Sequence, residues 1–208
     1  MKPGGRGGPK EERSRATQER LLSAARALFS ERGFAGTATE DLVARAGVTR
    51  GALYHQYEDK RDLFRAVFED VERELGERIA AAAAAVTQPW EMIRAGARAL
   101  LEASLEPAVR RIVLTDGPSV LGWEEWRRID SKYAYGMVRA ALEANIEGGN
   151  LPRQPIDPLA HLIIGALNEA GLAVAASQTP EATRDEFLAS LDGVLAALRA
   201  AAHAERGA

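Results

Sequence analysis

The chain has 208 residues, 46% of them apolar, with a net charge of −3 and no cysteine. That is ample apolar material for a packed core, which sets aside a disordered chain, and the absence of thiols excludes disulfides, cysteine-based zinc sites and cysteine nucleophiles. Its three histidines, His55, His161 and His203, lack a second histidine at helix-ligand spacing, so no metal and no cofactor are expected.

Charge is unevenly spread: residues 1–60 hold 11 Lys and Arg against 8 Asp and Glu, and the remainder 16 against 22. A slightly basic head on an acidic body suits a head that meets a polyanion and a body that does not. The longest apolar stretch, 159–176, is interrupted by His161, Asn168 and Glu169, so no membrane span is expected. The opening MKPGGRGGPK has no apolar run, hence no secretory signal, and the expected location is cytoplasmic.

In chain order, residues 1–12 combine four glycines, two prolines and three basic residues. They read as a flexible basic tail, either a solvated terminus or an arm that touches phosphates or a minor groove. Leu21, Leu22, Ala25, Leu28 and Phe29 then repeat with helical period up to Gly33. Leu42, Val43 and Ala46 mark a short second helix stopped by Gly47, and Leu53, Tyr54 and Tyr57 an equally short third. Leu63, Phe64, Val67, Phe68 and Val71 begin a long fourth helix that reaches the alanine tract 80–85.

Gly and Pro breaks cut the rest into helical segments at 89–104, 107–115, 119–147, 156–177 and 180–203. Nothing alternates with period two. The expected fold is all-α with about nine helices: a three-helix head at 13–60 and a helical body at 61–208.

Residues 37–60, TATEDLVARAGVTRGALYHQYEDK, have the make-up of a helix-turn-helix, two short helices joined at a steep angle through a small residue. Ala46-Gly47-Val48 supplies the bend, Val48 turning inward against Leu42, Val43 and Leu53, and Thr49 is placed to cap the second helix. With Leu53 and Tyr57 facing inward, Arg50, Gly51, Ala52, Tyr54, His55 and Gln56 are left for the outer face. Arg50 has the fork for a guanine edge, and Gly51 and Ala52 are small enough for close approach. Tyr54, His55 and Gln56 suit phosphates, Gln56 also an adenine, and Lys60 with the first amides of the next helix suits a phosphate.

The stretch GFAGTATEDLVARAGVTRGALYHQYEDKRDLFRAVFE closely resembles the signature of the TetR family of transcriptional regulators, the match running over about residues 16–68. The resemblance implies that positions 37–39, 49–52, 54–56 and 60 meet operator DNA, which makes Thr37, Thr39, Thr49, Arg50, Gly51, Ala52, Tyr54, His55, Gln56 and Lys60 the candidate contacts. Two positions depart from the common pattern. Ala38 stands where many members have Ser or Thr, so the helix cap is expected from Thr37 or Thr39, with Thr37 and Glu40 at capping-box spacing. Gln56-Tyr57 stands where many have His-Phe.

The resemblance also implies a repressor released from a palindromic operator by a small-molecule effector, and a homodimer through the last two long helices. Two apolar stripes suit that interface, Leu159, Leu162, Ile163, Ala166, Leu167, Ala170 and Val174 on one helix and Phe187, Leu188, Leu191, Val194, Leu195 and Leu198 on the other. Periodicity alone serves equally well for packing inside one monomer. Candidate ligand contacts in the body are Trp90, Leu105, Trp123, Trp126, Tyr133 and Met137, with His161 or Asn168 as a polar partner. No Gly-rich phosphate loop, Ser-His-Asp grouping or metal cluster points to an enzyme. The rival reading is a helical small-molecule carrier whose helix-turn-helix is vestigial.

Overall fold

The computed structural model describes residues 8–206, and every regular element among them is helical. In order these are α1 (Pro9–Arg32), α2 (Thr39–Ala46), α3 (Arg50–Gln56), α4 (Lys60–Ala84), α5 (Pro89–Ala103), a π-helical segment (Val109–Asp116), α6 (Gly117–Leu121), α7 (Trp123–Glu147), α8 (Ile156–Ala176) and α9 (Pro180–Arg206). Of the tail expected at 1–12, residues 1–7 lie outside the described residues and 9–12 already belong to α1. The chain forms two compact units that divide after Asp70, within α4.

The first unit is built on the apolar faces the sequence announces. Leu21, Ala25, Leu28 and Phe29 of α1 are buried with Leu42, Leu53, Leu63, Phe64 and Phe68. Phe64 meets Phe29 and Phe34 edge-on, at centroid distances of 5.2 and 5.3 Å, an arrangement that adds electrostatic attraction to area burial. Gly47 ends α2 in the left-handed region (φ 62°, ψ 39°), where a side chain would strain the backbone. Its amide donates to the Val43 and Ala44 carbonyls and that of Val48 to Val43, closing the helix end. Thr49 caps α3 by accepting from the Ala52 amide at 3.2 Å.

In the second unit, Trp90, Ile93, Leu142, Leu151, Ala160 and Leu195 form one cluster, and Leu101, Ala170, Val174 and Leu188 another. Trp126 is fully buried, and its indole donates to the Val113 carbonyl of the π-helical segment at 2.9 Å. The helix expected at 119–147 is two: α6 ends at Gly122 (φ 85°) and α7 starts beyond it.

The α8 stripe divides. Ala160, Ile164, Ala170, Gly171 and Val174 pack inside the unit, whereas Leu162 is 71% exposed and Gly165 and Ala166 lie open beside it. On α9, Leu188 and Leu195 are buried but Val194 is 57% exposed. The expectation that no segment could span a membrane is corrected in one respect. Within its 21 residues α8 holds an 18-residue window of mean hydropathy 1.6, long and apolar enough by length and composition, although the inward residues just named give that apolarity a use in the core.

Candidate functional site

The outer edge of α3 is where the first unit presents chemistry. Leu53 and Tyr57 anchor the helix in the core, which turns Thr49, Arg50, Gly51, Tyr54 and His55 to solvent, with Ala52 and Gln56 half-buried. The helix has seven residues, about 11 Å of rise, a length that fits one major groove. Arg50 reaches Glu40 at 3.0 Å and the Tyr54 hydroxyl at 3.4 Å, and its guanidinium lies 5.6 Å from the Tyr54 ring centre. These contacts raise the Arg50 pKa, the Tyr54 hydrogen bond foremost, so its positive charge is fixed. Gln56 donates to the Ser14 hydroxyl of α1 at 2.7 Å.

Two of the expected contacts also have structural duties. Thr37 is 1% exposed, and its hydroxyl donates to the Gly33 carbonyl at 2.7 Å. It therefore neither caps α2 nor reaches outward with its side chain. Thr39, half-exposed at the first position of α2, does not cap it either: the N-cap is Ala38, with no side-chain bond. Lys60 donates to the Phe34 carbonyl at 3.0 Å and to that of Thr37 at 2.9 Å, with its ammonium 4.1 Å from the centre of the Phe34 ring. Two of its three donors clamp the α1–α2 connection to the start of α4.

The second unit holds a cavity of about 350 Å³ between α4, α5, α7 and α8. Its wall is largely aliphatic: Leu75 and Ile79 of α4, Met92, Ile93 and Leu100 of α5, Ile164 and Leu167 of α8. Gly76 lets α7 come close, since a Cβ there would stand 2.8 Å from Tyr133 Cβ. Of the sequence candidates, Tyr133, Met137 and Asn168 line this space.

The other five do not. Trp90 and Trp126 are core residues, 5% and 1% exposed. Trp123 is 54% exposed and stacks on Trp126 at 4.9 Å. Leu105 packs against the Leu101 cluster, and His161 is a surface residue 5.0 Å from the Tyr135 ring.

Sequence reasoning missed Glu72 and Asp130, which line the cavity beside Asn168. Glu72 is 3% exposed, and its Oε1 has no hydrogen-bond partner. Burial, reinforced by the Asp130 charge, pushes the Glu72 carboxyl up to about 8. Asp130 is also raised by burial, against the pull of a 2.7 Å hydrogen bond from Asn168 Nδ2 and of the Arg127 charge. A signal existed: Glu72 falls one turn beyond Phe68 and two beyond Phe64, within the apolar stripe of α4.

Residues 21–67 match the family described as bacterial regulatory proteins, tetR family, and residues 90–198 match the tetracyclin repressor-like C-terminal domain. The crystal structure of a TetR-family transcriptional regulator from Pectobacterium atrosepticum is similar over 92% of this chain and 97% of its own, at 35% identity and a TM-score of 0.80. The transposon Tn10 TetC protein of Escherichia coli is 24% identical over 91% of this chain and 95% of its own length. The structure of RolR in complex with resorcinol shares the fold at 20% identity, with a TM-score of 0.70 over 92% of this chain and 95% of its own.

Proposed function

The chain belongs to the TetR family, and from that membership we propose that it is a homodimeric repressor whose hold on a palindromic operator is released by a small molecule. That it is a DNA-binding transcriptional regulator follows from the family itself. The observation that carries the reading is the α3 edge: a seven-residue helix anchored by Leu53 and Tyr57, with Arg50, Gly51, Tyr54 and His55 outward. Arg50 is assigned to a base, and Thr49, Tyr54 and His55 to the backbone. Gln56 and Lys60 are assigned to holding the head together, with at most one donor of each left for a phosphate. An operator that bacterial DNA carries is met in the cytoplasm.

The dimer reading is supported by the open faces of α8 and α9. Leu162 and Val194 are large apolar groups left in water, and nothing lies within 4 Å of a Cβ built on Gly165 or Gly193, so a second copy can approach closely. One short recognition helix gives too few contacts for specificity, and a two-fold axis doubles them over half-sites about 34 Å apart. The effector reading is supported by the cavity, of a size and lining typical of small-molecule sites. Because α4 carries both Lys60 and the cavity residues Glu72 to Ala84, we assign it the part of transmitting ligand occupancy to the reading head.

The test is binding of the purified protein to the DNA upstream of its own gene, titrated with salt and unrelated competitor. Tight, competitor-resistant binding with a steep salt slope supports the reading. Binding to all DNA alike, or to none at low salt, would favour the carrier.

A further inference from the structure

The groups of the cavity that can carry charge are all acids. Its titratable lining residues are Glu72 from α4 and Asp130 and Tyr133 from α7, and α8 adds the amide of Asn168. What α5 contributes is apolar, and none of the lining residues is Lys, Arg or His. Two cations act on these groups without lining the space: Arg127 draws on Asp130, and Lys132 lies 5.3 Å from the Tyr133 ring centre. Neither gives Glu72 Oε1 a partner.

A buried carboxyl with an unmatched oxygen is costly, and Glu72 is one of the residues that line the cavity. A carboxylate or phosphate ligand would place a third acid beside two. A neutral hydroxyl would satisfy one lone pair and no charge. An ammonium brings a positive charge and three donors to a site whose lining holds two carboxyls and no cation.

Building on the reading of this cavity as the effector site, we propose that it takes a compact, mainly apolar molecule ending in a protonated amine, with Glu72 and Asp130 as the counter-charges. The raised Glu72 carboxyl fits this order of events: it holds its proton while the cavity lacks a cation and gives it up to the buffer when an ammonium arrives. Near pH 7, uptake of the amine therefore releases about one proton per chain.

The test uses three probes with one apolar body and different heads: 4-phenylbutylamine, 4-phenylbutanol and 4-phenylbutyrate. They are titrated calorimetrically into the intact protein at pH 7, in two buffers of different ionisation enthalpy. The amine is expected to bind at least about tenfold more tightly than the alcohol, the butyrate weakest, with proton release on amine binding only. In Glu72→Gln the release disappears and the preference for the amine over the alcohol collapses, and Asp130→Asn weakens that preference independently. Butyrate binding as tightly as the amine, no binding of any probe, or an amine preference unchanged in both variants would each overturn the assignment. A parallel titration with operator DNA keeps the two readings apart: amine binding that leaves operator affinity unaltered upholds the ligand class and removes the regulatory role.

Discussion

Arg50 Nη1 lies 3.0 Å from Glu40 Oε1, so the residue assigned to base reading is held by an acid of the preceding helix. Both side chains are well exposed, which keeps the pair weak, but DNA must displace Glu40 before the guanidinium can present both arms to a guanine. Glu40→Gln takes the charge from that competitor and leaves a weaker, neutral acceptor. Operator affinity is expected to rise a few-fold and its salt slope to change little, as measured by fluorescence anisotropy across a salt series. A loss of affinity would mean that Glu40 positions Arg50 rather than competing for it.

Lys60 gives a prediction of the opposite kind. Its two carbonyl partners belong to the loop between α1 and α2, so Lys60→Met leaves the Phe34 and Thr37 carbonyls without their donor. The expected loss is about 2 kcal/mol of stability, read as a lower urea midpoint at unchanged slope. Unchanged stability with weaker DNA binding would restore Lys60 as a plain phosphate contact.

How far the sequence foretold these arrangements depends on the range of the interaction. The Gly47 bend, the Thr49 cap and nearly all helix limits follow from rules that act within a few residues, and the structure bears them out. Lys60 looked like a free cation because its acceptors lie 23 and 26 residues upstream. Thr37 looked like a cap because spacing shows which residues can bond, and only the path of the chain shows that its hydroxyl turns to Gly33. Aromatic size misled in the body: Trp90 and Trp126 fill the core, and the cavity remains where Gly76, Ala80, Ala83, Gly96 and Ala97 leave space. The split of α8 into an inward and an outward face needs α7 and α9 in place before it can be seen.

Glu72 makes a prediction about pH. Its carboxyl sits at about 8 in the folded chain against an ordinary 4.5, so between those values the native state keeps a proton that the unfolded state has lost. Stability therefore falls as pH rises through that window, by at most about 1.4 kcal/mol per pH unit from this group. Glu72→Gln cannot lose a proton, so its stability relative to the parent should be similar near pH 4 and grow steadily up to pH 8. Urea unfolding of both proteins at pH 4.5, 6 and 8 checks this, and a constant difference across the series would show that Glu72 is ionised in the folded state.

The exposed Leu162 and Val194 are assigned to the interface between two copies. Placing a charge at both, Leu162→Glu with Val194→Glu, is expected to convert a dimer to monomer in sedimentation equilibrium while the helix content measured by circular dichroism stays the same. Because half-sites would then be read singly, operator affinity should fall at least about a hundredfold. A variant that stays dimeric would place the interface on another surface.

The central claim, that α3 reads sequence through Arg50, is tested most directly by the ratio of operator to unrelated-DNA affinity in the parent protein and in Arg50→Ala, measured at one salt concentration. The account predicts a large ratio in the parent that shrinks by roughly tenfold or more in the variant, with affinity for unrelated DNA changing little. A ratio that survives the substitution intact, or a parent protein that shows no preference to lose, would contradict it.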